Sequence, residues 1–441
     1  MASVPHAAGC LAFRLADGFA RNALFANQII LFQSLGGFGA NGAQRAAKFL
    51  SATCSVAPFV LGAWQQRVGA PLPRMVLIGC FLEVLVTILI ALAASQHLLL
   101  HGQSLVCCTM LTYALGYGAV TSAMPVLTRK AAPEGACRTG LMQAFVGCLS
   151  FGAMAGIGAA AWAESYRRDH WALLSGALAL LLGACCLPPR GMPLAWARCV
   201  LRFTLGLKPE KLLLWEMQEK EERLLDPEPT DARALPQLVL PLLLLVPFYA
   251  AGVQWTTSWY VLTLYLDRRV GGFLVPACLL QGFERLVSLA ALGALLRTTS
   301  VLKLGPASRL AFGSLLAAAA MFAAALAEAA RRDWWPRLPG EPDVSSLSVL
   351  WLLPQFALIA TGEAFVYPAC AEFLSTPVAY GFSCFLQAAA VALLGLLLGH
   401  LKDWIPESSP NNGHYDLFFI SIGIACVISA GALLAVSKWK H

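Results

Sequence analysis

The sequence predicts an all-α membrane protein of twelve transmembrane helices arranged as two six-helix bundles. Three observations carry this. The 441 residues are 58% hydrophobic and only 12% charged, too little charge to cover a soluble chain of this length. The mean hydropathy is +0.68. Apolar runs of about 20 residues, the length that crosses a bilayer as a helix, recur along the chain.

Twelve such runs fall near residues 10–35, 49–63, 74–95, 106–127, 141–162, 171–187, 235–266, 272–296, 310–329, 347–373, 382–401 and 417–437. Small residues crowd several of them, as in Phe151-Gly-Ala-Met-Ala-Gly-Ile-Gly158, and small residues let helices approach closely in lipid. The one long polar stretch, 188–234, separates six runs from six. Its middle, 212–225, mixes leucines with Glu and Lys and predicts an amphipathic surface helix. The organisation expected is therefore a first bundle over 1–187, a cytoplasmic linker over 188–234 and a second bundle over 235–441. A 6 + 6 division is the layout of the major facilitator fold.

Lys and Arg concentrate on one side of the predicted spans: Arg67 and Arg74, then Arg129, Lys130 and Arg138, then the linker, then Arg297, Lys303 and Arg309. The positive-inside rule puts both termini in the cytoplasm. No removable signal peptide is expected, because the first apolar run already carries Arg14, Asp17 and Arg21.

Several function classes lack a motif. The net charge of +7 is spread over short loops, with no basic-aromatic cluster for nucleic acid. The 14 cysteines sit singly or as Cys107-Cys108 and Cys185-Cys186 in apolar runs, without metal-site spacing. His-Glu-x-x-His, Gly-x-Ser-x-Gly and a phosphate-binding Gly-Lys-Ser/Thr loop are missing. No enzyme, cofactor or metal is expected, and Asn-x-Ser/Thr is absent as well.

Ionisable residues inside membrane helices are costly and mark cavities, partners or pathways. Arg14, Asp17 and Arg21 fall at i, i+3 and i+7 and share a helix face. They read either as a proton-coupling site with Asp17 as carrier, or as a self-neutralised cluster with Arg14 snorkelling to the surface. Glu83 stands alone in its run. Glu284 and Arg285 are adjacent, so they are expected to point different ways. Glu363 lies well inside its run, and Glu372 near the end of the same run. Gln254, Trp255, Thr257 and Trp259 offer hydrogen-bonding and aromatic groups for a cavity lining, or simply pack.

The residues of the second half resemble a family. Pro354-Gln355-Phe356, Gly362-Glu363 and Glu372-Phe373 are similar to the tenth helix of proton-coupled oligopeptide transporters. Pro247-Phe-Tyr with Gln254 through Leu262 resembles that family's seventh helix, closest to its peptide/histidine branch. Arg309, Gly313 and Glu328 resemble the ninth helix, and Phe283-Glu284 falls where the eighth carries Phe-Asn or Phe-Asp. In the first half, Pro58-Phe59 and Trp64-Gln-Gln-Arg67-Val-Gly69 resemble the second helix and its loop, with Gln65 where the family has Asp. The family's Glu-x-x-Glu-Arg on helix one is replaced by Arg14, Asp17 and Gly18. Its helix-four Lys falls near Val120, and the acid some members carry on helix seven falls at Val253.

The resemblance implies a secondary transporter of small peptides or amino acids such as histidine, proton-coupled, working by alternating access in a lipid bilayer. It implies that Glu363 holds the substrate's cationic group, with Gln254, Trp255, Trp259 and Glu284 around the substrate. Asp17, Arg14 and Arg21 stand at the proton-coupling position. It implies an endolysosomal or plasma membrane location. The replaced first-half motifs also suit a non-transporting scaffold or sensor that recruits a cytoplasmic protein through residues 212–225, and a third reading is an uncoupled facilitator.

Overall fold

The computed structural model describes residues 3–25, 40–95, 103–130, 136–165, 169–187, 234–256, 258–275, 277–302, 304–374, 376–400 and 413–438. The predicted linker helix at 212–225 lies outside them. The chain divides into two compact units, Met1–Leu238 with Leu374–Phe385, and Val239–Phe373 with Leu386–His441.

The first unit is built from α1 (Ser3–Phe25), α2 (Ala40–Val68), α3 (Leu72–Ala94), α4 (Gln103–Lys130), α5 (Ala136–Ser165) and α6 (Asp169–Cys186). α1 packs along α5 and α6, while α4 packs on α2 and α3. Gly79 on α3 and Gly116 on α4 let two helix backbones touch. A Cβ at Gly79 would lie 2.6 Å from the Gly116 carbonyl oxygen, and one at Gly116 2.7 Å from that of Gly79. This is the small-residue contact that substitutes for a hydrophobic drive between helices in lipid. One helical turn on, Glu83 is carried inward, its Cγ 3.0 Å from the Cβ that Gly116 lacks.

The second unit opens with a helix that the sequence predicts as one span over 235–266. It is in fact three pieces, α7 (Ala234–Leu243), α8 (Val246–Gly252) and α9 (Ser258–Leu264), with a 3-10 turn at Val253–Thr256. Pro247 is the cause of the first break, since it has no N–H and crowds the preceding turn. The broken backbone is re-satisfied from outside: Ser429 donates to the Leu244 carbonyl oxygen, which is how interrupted helices persist where water is absent. α10 (Ala277–Leu302), α11 (Pro306–Ala329), α12 (Leu353–Phe373), α13 (Pro377–His400) and α14 (Tyr415–Lys438) follow. The residues of α13 through Phe385 belong to the first unit and the remainder to the second.

Two further sequence boundaries are corrected. The run predicted from 272 begins as a helix only at Ala277. Before it, β2 (Arg269–Val270) and β3 (Phe273–Leu274) form an antiparallel hairpin, turned by Gly271 and Gly272 at φ of 58° and 83°, a conformation open to glycine at little cost. The run predicted from 347 begins as a strand, β5 (Glu341–Ser348), paired parallel with β1 (Leu266–Asp267) and antiparallel with β4 (Arg337–Leu338). Apolar patterning does not separate a short strand from the start of a helix.

Among the described residues, seven helices are long and apolar enough to cross a membrane. Phe49, Ile78 and Ile428 present large apolar side chains outward, at 60%, 60% and 67% exposure, while Asp17, Glu83 and Glu284 are fully buried. Charge inside and hydrocarbon outside is the polarity of a chain solvated by lipid.

Replacing Gly79 or Gly116 by Leu should destabilise the first unit by about 1–3 kcal/mol through overpacking. Gly158, with open space around its missing Cβ, is the control, and Gly158→Leu should leave the thermal midpoint in detergent unchanged. Equal midpoints for all three variants would refute the close approach of α3 and α4.

Candidate functional site

Each unit encloses a cluster of buried charges. In the first, the i, i+3, i+7 spacing on α1 does what a helix must: it stacks Arg14, Asp17 and Arg21 on one face. Arg14 Nη1 lies 2.5 Å from Asp17 Oδ2, and Arg21 Nε pairs with the other Asp17 oxygen. Arg21 then reaches across to α3, where its Nη2 donates to Glu83 Oε1 at 3.4 Å, and to α4, where its Nη1 donates to Thr121 Oγ1 at 2.8 Å. Its guanidinium lies 3.9 Å from the centre of the Tyr117 ring. That of Arg14 lies 4.8 Å from the centre of Phe145. Both are cation–π contacts in a desolvated setting.

Arg14 therefore does not snorkel: it is only 4% exposed, because Asp17 and the Phe145 face satisfy it inside. Glu83 is the residue that sequence reasoning left without a partner. The signal was present in the charge count, since α1 carries two cations and one anion on a single face, and Glu83 is the acid that closes the sum. Two guanidiniums and two carboxyls make the cluster neutral.

In the second unit, α10 supplies Glu284 and Arg285, and α12 supplies Glu363. Arg285 Nη1 donates to Glu363 Oε2 at 3.4 Å, and its Nε lies 3.1 Å from Glu284 Oε2. Glu284 and Arg285, expected to point different ways, instead act on one another, because the long Arg285 side chain curls back to its neighbour. The Arg285 guanidinium also lies 5.1 Å from the centre of the Trp255 ring. The carboxyls of Glu284 and Glu363 come within hydrogen-bonding reach of each other. Gly252 leaves room beside Glu363, whose Oε1 would stand 3.9 Å from a Cβ placed there. This cluster holds one guanidinium and two carboxyls.

Gln254 is buried and spends its Nε2 on the Ala250 carbonyl oxygen at 2.9 Å, while its Oε1 accepts no hydrogen bond among the described residues. Trp259 is fully buried, its ring edge-on to Phe356 at 5.2 Å. Thr257 lies outside the described residues. Glu372, at the far end of α12, pairs with Arg309 of α11. Glu328 takes two hydrogen bonds of 2.7 Å from Arg331, and Arg332 joins Asp333 to Asp416. The Arg309–Glu372 and Arg332–Asp416 pairs tie helices together at their ends. Among the described residues, no group of three His, Cys, Asp or Glu side chains could hold a metal ion.

A multi-pass helical membrane protein with charge clusters inside each unit is the class that fold and site define. The POT family model matches residues 223–393. Among curated proteins the chain is similar to "Protein NRT1/ PTR FAMILY 7.3" of Arabidopsis thaliana, 27% identical over 150 residues, which cover 30% of this chain and 24% of the relative. It is also similar to "Protein NRT1/ PTR FAMILY 7.1" of the same plant, 26% identical over 198 residues, covering 40% of this chain and 31% of the relative. The matched stretch thus spans less than a third of either relative's length. Among solved structures, a POT family transporter in complex with 5-aminolevulinic acid matches at TM-score 0.65 and 16% identity, over 98% of this chain and 96% of that one. A peptide transporter POT in complex with alafosfalin matches at TM-score 0.65 and 17% identity, over 99% and 97%. The chain therefore has the fold of these solved structures, and its residues 223–393 are similar to the POT family.

Arg21→Ala should destabilise the first unit by about 3–5 kcal/mol, since it leaves the buried Glu83 carboxyl without its guanidinium and Asp17 with Arg14 alone. In a double-mutant cycle, Arg21→Ala with Glu83→Ala should cost clearly less than the sum of the single variants. Strict additivity in detergent unfolding would show that the two do not interact.

Proposed function

We propose that the protein is a secondary transporter of small peptides or amino acids, histidine among them, proton-coupled and working by alternating access. The observation that carries this is Glu363. It is a buried carboxylate, 3% exposed, placed within the stretch that matches the family and held by a single guanidinium at 3.4 Å. A carboxylate removed from water gains most from a cation, and the ammonium group of a peptide or amino acid is such a cation. In this reading the substrate's ammonium takes the place of Arg285 on Glu363, with Glu284 beside it. Trp255 offers an aromatic face, and Gln254 and Trp259 shape the surrounding wall. The complexes of related solved proteins with 5-aminolevulinic acid and with alafosfalin support small zwitterionic substrates. The coupling role expected of Arg14, Asp17 and Arg21 remains part of the proposal. So do the 1–187, 188–234 and 235–441 division, the cytoplasmic termini and the endolysosomal or plasma membrane location.

A second reading is favoured by one observation, the neutral, closed cluster on α1. A scaffold that recruits a cytoplasmic protein through residues 212–225 needs no charge to be released there. Its mark would be a stable partner in pull-down that is lost when 212–225 is deleted.

Purified protein in liposomes should accumulate a labelled dipeptide or histidine under an inward proton gradient, and Glu363→Gln should reduce the initial rate at least tenfold. A folded, inserted protein with no uptake across a broad panel of peptides and amino acids would overturn the transport reading.

A further inference from the structure

We propose that Glu284 and Glu363 share a single proton, making the pair a proton-binding site in the second unit. Glu284 is fully buried, and among the described residues neither of its carboxyl oxygens accepts a hydrogen bond from any N–H or O–H donor. Arg285 Nε is within ion-pair range at 3.1 Å, yet that nitrogen too makes no aligned hydrogen bond. The group Glu284 does face within hydrogen-bonding reach is the carboxyl of Glu363. Two carboxylates cannot bond to one another; a carboxyl bonds to a carboxylate only when one of them carries a proton to donate. A buried acceptor without a donor costs about 1–3 kcal/mol or more, and one proton between the two acids removes that cost.

Charge counting leads to the same place. Arg285 supplies one positive charge against two carboxyls, so the triad is neutral with one proton and carries one net negative charge without it. The α1 cluster, with two guanidiniums and two carboxyls, needs no proton to be neutral. Among the described residues, the other charged and titratable groups near the pair do not alter the count. Tyr367 of α12 acts on Arg285, and Arg309 of α11 is engaged by Glu372, nine residues beyond Glu363. Trp255 faces Arg285 from the 3-10 turn after α8 and contributes only its ring. Under the transport reading above, this is the site that an inward proton gradient loads.

Infrared spectroscopy of the purified full-length protein in lipid nanodiscs tests this without requiring transport, so its outcome is separate from that of the uptake assay. At pH 7 the wild type should show a protonated-carboxyl C=O stretch that shifts in D2O, and the same component should vanish in both Glu284→Gln and Glu363→Gln. Arg285→Gln keeps the test open if either Glu variant fails to fold: without the guanidinium both acids should be protonated, and the band should grow about twofold. A component that survives either Glu variant overturns the shared proton. So does a wild type with no such component, as expected of a pair filled by sodium, and so does an Arg285→Gln spectrum identical to wild type.

Discussion

The arrangement of this protein rests on one constraint: a charge taken out of water must find its counter-charge inside the fold. Desolvating an ion costs several kcal/mol even after relaxation, and the cost is recovered only by close, well-placed partners. Asp17, Glu83, Glu284 and Glu363 are all essentially buried, so the helices that carry them are fixed in register by the guanidiniums that reach them. Arg21 ties α1 to α3 and α4. Arg285 ties α10 to α12. The glycine contact between α3 and α4 lies one turn from Glu83, whose Cγ sits 3.0 Å from the Cβ that Gly116 lacks.

The two clusters differ in the one respect that matters for function. The α1 cluster is balanced and closed, with every charge assigned to a partner within the unit. Among the described residues, the α10–α12 cluster is one positive charge short. A balanced cluster needs no added charge, whereas an unbalanced one favours a proton or a cation. The asymmetry runs parallel to the sequence: the family-matching stretch, residues 223–393, contains the unbalanced cluster, while the altered helix-one motif contains the balanced one.

Much of the fold is legible in the sequence, because a bilayer reduces the choice of backbone to helices of a set length. What the hydropathy does not reveal is where a span is interrupted. Pro247 breaks the span begun at Ala234, and the strands take in the ends of predicted spans, at Leu266, 273–274 and 347–348, where a few apolar residues read equally well as helix. Within the site, local spacing foretells that Arg14, Asp17 and Arg21 share a face. It does not foretell Glu83, whose partner is 62 residues away and is known only once α1 and α3 are packed. The pairing of Glu284 with its own neighbour is hidden for another reason: backbone direction places the Cβ atoms apart, and the flexible Arg285 side chain overrides that direction.

Glu363 is the centre of the proposed function, in which this buried carboxylate exchanges an internal guanidinium for a substrate cation. A cryo-electron microscopy structure of the protein in a lipid nanodisc with a saturating dipeptide tests this most directly. The account predicts the peptide's ammonium within hydrogen-bonding distance of Glu363, with Arg285 withdrawn from it. Arg285 still bonded to Glu363, with the dipeptide bound elsewhere or not at all, would contradict it.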